Sequence, residues 1–118
     1  MKRILLCLIC IFSLLGSKAQ SYNELVEKAM DYTFKDSLQQ AEKLFREALR
    51  LDPYNARNAL LFSNLGTVLK RQGKIDEAID SYTMALNITP YATAILLNRA
   101  TLYMEKNLTE KPIWTIAM

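Results

Sequence analysis

The chain repeats itself. Sliding the 118-residue sequence by 37 positions pairs Leu25 with Phe62, Ala29 with Gly66, Tyr32 with Leu69, Ala41 with Ala78, Phe45 with Tyr82, Ala48 with Ala85 and Pro53 with Pro90. A further slide of 34 pairs Phe62 with Leu96, Gly66 with Ala100 and Leu69 with Tyr103. Large positions recur as large and small positions as small. A period of this length belongs to an array of stacked units, because no single unit can bury its apolar face without a neighbour.

Each unit reads as two helices. Phe62, Leu65, Gly66 and Leu69 are spaced i, i+3, i+4, i+7, which places them on one helical face. Gln72-Gly73-Lys74 breaks the pattern, and Ile75, Ala78, Ile79, Tyr82, Ala85 and Leu86 resume it. Thr89-Pro90, like Asp52-Pro53 one unit earlier, is expected to serve as N-cap and first residue of the following helix. Ser37 with Gln40 is expected to form a capping box. Gly66 with Ala78, and Ala29 with Ala41, are expected to be points of close helix approach, with Tyr82 and Phe45 filling the space between hairpins. The three extra residues of the first interval are placed between Tyr54 and Asn58.

These residues resemble the tetratricopeptide repeat signature, W-x2-L-G-x2-Y, A-x3-F and a closing P. The second unit meets it as Phe62-x2-Leu65-Gly66-x2-Leu69, Ala78-x3-Tyr82, Ala85 and Pro90. The first meets it mainly in Ala41, Phe45, Ala48 and Pro53. The resemblance implies an all-α fold of antiparallel helical hairpins stacked as a right-handed solenoid of about five helices. The repeat domain is expected over 20–111, with units at 22–55, 59–92 and a partial third at 93–111. In that third unit the expected small residue and ring fall on Pro112 and Ile116. Proline inside a helix costs about 3 kcal/mol, so 112–118 is expected to be an irregular tail and the array a truncated one.

The first nineteen residues follow a different logic. Met1-Lys2-Arg3 is basic, Ile4 to Leu15 is apolar but for Ser13, and Ser17 and Ala19 are small. This is the layout of a secretory signal peptide, cut between Ala19 and Gln20, and implies a secreted or periplasmic protein. The alternative is a chain anchored in a membrane by residues 4–15, although twelve residues fall short of the roughly 20 that span a bilayer.

Composition acquires its meaning once the leader is set aside. Both cysteines, Cys7 and Cys10, lie within it, so the remaining 99 residues hold no disulfide and no thiol. Lys2, Arg3 and Lys18 leave with it, so twelve basic residues face twelve acidic ones and no basic excess remains to drive nucleic-acid binding. The chain has no histidine, which removes a Ser–His–Asp triad, a Cys–His pair and the commonest metal ligand. Glu24 with Glu27, and Asp76 with Glu77 and Asp80, are read as solvated surface beside Lys28 and Lys74. No catalytic residue, cofactor or metal site is expected.

The family resemblance implies instead a concave groove lined by the first helix of each unit, receiving a peptide from a protein partner. By register its residues are Asn23, Val26, Met30, Thr33 and Phe34, then Leu60, Ser63, Asn64, Thr67, Lys70 and Arg71, then Ala94, Leu97, Asn98 and Thr101. Asn64 and Asn98 lead this set, because a side-chain amide offers both donor and acceptor to a peptide backbone. Leu60 is the groove residue most expected to pack between helices. A family subset grips a C-terminal carboxylate through five polar positions, of which only Asn64 is matched, so that function is not expected. The competing reading is a glycan-binding envelope protein that stacks sugars on Tyr22, Tyr54, Tyr91 and Trp114. A homodimer is expected through the C-terminal helix, with Ile95, Leu102 and Tyr103 as its uncovered face.

Overall fold

The computed structural model describes the backbone of residues 2–110 and the side chains of residues 18–108. Five helices and no strand are found among the described residues: α1 Lys2–Phe34, α2 Leu38–Leu51, α3 Asn58–Arg71, α4 Ile75–Ile88 and α5 Thr93–Glu110. The most extensive contacts join α3 to α4 and α1 to α2, and smaller ones join α4 to α5 and α2 to α3. The architecture is therefore two hairpins and a fifth helix, stacked in chain order. Residues 112–118, including Trp114, lie outside the described residues.

The two hairpin turns are copies of each other. Ser37 N–H donates to Tyr32 O at 2.8 Å and Asp36 N–H to Thr33 O at 3.2 Å. At the same register, Lys74 N–H donates to Leu69 O at 2.9 Å and Gly73 N–H to Lys70 O at 2.9 Å. Both are Schellman ends, in which one left-handed residue turns the last N–H groups back onto the helix's free carbonyls. Gly73 takes φ +81° and Asp36 takes φ +62°. Glycine carries no penalty there, and aspartate is among the few side chains that adopt this conformation. The same motif leads directly into the next helix, so the expected capping box does not form: Ser37 sits at the N-cap of α2 without a side-chain hydrogen bond.

Pro53 and Pro90 are also placed differently from expectation. Helices α2 and α4 end at Leu51 and Ile88, and α3 and α5 begin at Asn58 and Thr93, so Pro53 and Pro90 lie in the turns between units. The first of these turns is the longer one, and Asn55 organises it: its amide donates to the Asp52 carboxylate at 3.0 Å, and its side-chain oxygen accepts from Arg57 N–H at 2.9 Å.

The core runs from Tyr22, Val26 and Ala29 on α1 through Ala41, Phe45 and Ala48 on α2 to Leu61, Leu65, Val68 and Leu69 on α3, with Ala78, Ile79 and Tyr82 on α4 and Leu102 on α5. Gly66 faces the Tyr82 ring: a Cβ added there would lie 2.8 Å from Tyr82 Cε1. Tyr82 thus packs within its own hairpin, and its hydroxyl is 2.8 Å from Thr67 Oγ1. Burial raises the Tyr82 pKa, against the opposing hydrogen bond with Thr67.

Polar contacts stitch the units together. Glu42 of α2 accepts from Lys74 Nζ at 2.9 Å and Gln72 Nε2 at 3.0 Å, both in the second hairpin's turn, and from Arg46 Nε at 3.0 Å. Burial alone would raise the Glu42 pKa, but these three donors outweigh it and hold the carboxyl below its ordinary value. Helix α5 is tied to α4 by Lys106–Asp76 at 2.7 Å and Arg99–Thr83 at 3.2 Å.

Helix α1 runs without a break across the expected cleavage point between Ala19 and Gln20. Among the described residues, no helix is long and apolar enough to cross a membrane.

Candidate peptide-binding face

The first helices of the three units, α1, α3 and α5, share one face of the stack. Contacts across α1 and α3 place their side chains next to each other: Asn64 Nδ2 lies 3.2 Å from Met30 Sδ, and Arg57 Nη1 donates to Asn23 Oδ1 at 3.0 Å. Arg71 donates to the Asp36 carboxylate and, at 3.3 Å, to Thr33 O. Between α3 and α5 lies an open hollow of about 510 Å³, lined by Ala56, Arg57, Ala59, Leu60 and Ser63 on one side and by Thr89, Ala92, Ala94 and Ile95 on the other.

The residues singled out from the sequence divide into three groups. Met30, Phe34, Lys70 and Asn98 are exposed, while Asn64 and Ser63 are half-buried on the shared face, with Ser63 at the edge of the hollow. Thr67 and Arg71 are present but engaged, Thr67 with Ser63 O and the Tyr82 hydroxyl and Arg71 with the α1–α2 turn. Val26 is a correction. At 4% exposure it belongs to the core, because its place on α1 faces α2 and α3 rather than solvent. Leu60, a groove position by register and the one most expected to pack between helices, does not pack away: it is 56% exposed at the hollow.

Ala56, Ala59 and Ala92 in this lining carry no motif signal, because small residues carry none. The available signal was their register, where alanines stand at positions filled by larger side chains one unit earlier.

Other features are structural. Tyr22 is buried, donating its hydroxyl to Asn58 Oδ1 at 2.8 Å, which removes it from any sugar-stacking platform. Tyr54 and Tyr91 are exposed in the two inter-unit turns. The acidic residues Glu24, Glu27, Asp76, Glu77 and Asp80 are exposed, and no group of three or more potential ligands that could hold a metal occurs among the described residues. Of the face of α5 expected to be uncovered, Leu102 is fully buried and Ile95 half-buried, while Tyr103 is exposed, together with Leu96, Met104 and Leu108.

Comparison with known proteins agrees with this architecture. Residues 18–90 match the tetratricopeptide repeat family. The chain is 36% identical over 74 residues to human DnaJ homolog subfamily C member 7, covering 62% of this chain and 15% of that protein. It is 35% identical over 68 residues to mouse RNA polymerase II-associated protein 3, covering 58% of this chain and 10% of that one. A solved tetratricopeptide repeat protein from Parabacteroides merdae superposes with a TM-score of 0.73 at 47% identity, covering 77% of this chain and 36% of that one. The chain thus spans only a small part of the length of each. With a family match over more than half its residues and the hairpin stack to support it, the chain belongs to the tetratricopeptide repeat family.

Proposed function

We propose that this chain is a non-catalytic interaction module that holds a peptide segment of a protein partner across the shared face of α1, α3 and α5. Tetratricopeptide repeats generally mediate protein–protein interaction, and the family is a repeat scaffold without catalysis. The observation that carries the reading is the hollow between α3 and α5, with exposed Leu60 in its lining and exposed Leu97 elsewhere on α5. Apolar recesses with a few polar groups nearby are what peptide side chains seek; Ser63 lies in the lining, and Asn64 and Asn98 stand on the same two helices, α3 and α5.

The leader supports an envelope or secreted location, reached after cleavage between Ala19 and Gln20. The open apolar stripe of α5 supports a homodimer formed through Leu96 and Tyr103, and Tyr103→Asp should then yield monomers by light scattering.

Peptide display against the full chain tests the main reading. Selected peptides should bind the native protein and weaken about tenfold or more with Leu60→Asp or Leu97→Asp, both exposed positions. Met84→Asp, at an exposed position on α4, should leave binding intact. Equal losses from all three, or no selected peptide, would refute the groove.

A further inference from the structure

The α1–α3 and α3–α5 junctions occupy equivalent places in successive units, yet one is filled and the other hollow. At the first, Tyr22 is 1% exposed, Val26 4% and Asn58 1%. Tyr22 donates its hydroxyl to Asn58 Oδ1 at 2.8 Å, and Asn58 Nδ2 donates to Asp52 O at 2.8 Å, so ring and amide close the junction together. The register that aligns the units carries Tyr22 onto Ala59, Val26 onto Ser63, Asp52 onto Thr89 and Asn58 onto Ala92. All four of these counterparts line the hollow between α3 and α5. The space is therefore the imprint of the ring, the branched side chain and the amide that the second junction lacks.

Its size and chemistry fit the missing ring. About 150 Å³ of apolar space accommodates benzene, and the hollow offers about 510 Å³ with an open mouth. Leu60 and Ile95 provide apolar walls, and Ser63 and Arg57 lie at hand for a phenolic oxygen. We infer that the hollow receives an aromatic side chain, phenylalanine or tyrosine, from the partner peptide, seated as Tyr22 is seated one unit earlier. This inference rests on the peptide-binding reading of the face and specifies its anchor.

The probe is p-cresol, the tyrosine side chain alone, titrated into the full chain and followed by amide chemical shifts. Shifts at Ala59, Ser63 and Ala92, saturating on the order of 1 to 10 mM, are expected for a ligand of this size. Ala59→Tyr combined with Ala92→Asn rebuilds the first junction's clasp; it should abolish those shifts and weaken selected peptides about tenfold or more. Ala59→Phe alone is the second filling variant, should the pair fail to fold. Absence of p-cresol shifts at the hollow overturns the inference, as does their appearance only in Tyr91→Ala, which would mean that the neighbouring ring already fills it. Peptides that bind equally to the filled variant overturn the anchor while leaving the groove reading intact. Titration of p-cresol without any selected peptide supports the aromatic seat and refutes the peptide reading.

Discussion

Helices α3 and α5 carry the same pattern and meet different fates. On α3, Leu61 and Val68 are fully buried, and Gly66 and Leu69 are closed over by α4. On α5, the counterparts of Leu61 and Val68 are Ile95, half-buried, and Leu102, fully buried; both belong to or pack on the core. The counterparts of Phe62, Gly66 and Leu69 are Leu96, Ala100 and Tyr103, and these are exposed. The first helix of a unit therefore has two apolar faces, one for the preceding unit and one for its own second helix. Burial follows the neighbour that is present, not the residue type.

The largest expected effect lies in the pair Leu69 and Tyr103. Leu69→Ala should cost about 2–5 kcal/mol in denaturant unfolding, whereas Tyr103→Ala should stay within about 0.5 kcal/mol. Comparable losses would break the comparison. Next come the small positions. Gly66→Leu drives a side chain into the Tyr82 ring and should cost about 1–3 kcal/mol or more, while Ala100→Leu, at an exposed position, should be nearly neutral.

The same distinction was only half legible in the sequence. The alternation of small and large residues revealed the hairpins because close helix approach demands it, and Gly66 opposite Tyr82 is that demand met. Periodicity marks a position as apolar without saying which of its two faces is covered. Register accordingly puts Leu102 on an open face, where it is buried, and Val26 in the groove, where it is core, while Leu60 keeps its groove place and is exposed. The Ser37 box failed for a local reason, since the Schellman turn before it already sets the start of α2. The hollow leaves no motif in the sequence because it is made by side chains that are missing; the register of Ala59 against Tyr22, and of Ala92 against Asn58, discloses it.

Smaller effects sharpen the comparison between covered and open parts. Glu42, held by donors from its own helix and the next hairpin, has a folded pKa below its unfolded value. Its contribution is therefore present above the ordinary glutamate value and lost as pH falls through the lowered folded value. Glu42→Gln should cost about 1 kcal/mol at neutral pH and flatten that part of the acid profile, as read by unfolding at a series of pH values. The smallest effect is expected at the amino end. The core residues of α1 begin at Tyr22, so a chain starting at Gln20 should unfold within about 0.5 kcal/mol of the full chain.

Thiol labelling measures the two faces most directly. Replacing Cys7 and Cys10 with serine removes both native thiols, and a single cysteine is then placed at either Leu69 or Tyr103. In dilute protein, Tyr103→Cys should react at the rate of an exposed thiol, and Leu69→Cys should be slowed on the order of 100-fold or more, reacting only when the hairpin opens. Equal protection at the two positions would contradict the account, because it would mean that α5 already has the cover that α4 gives to α3.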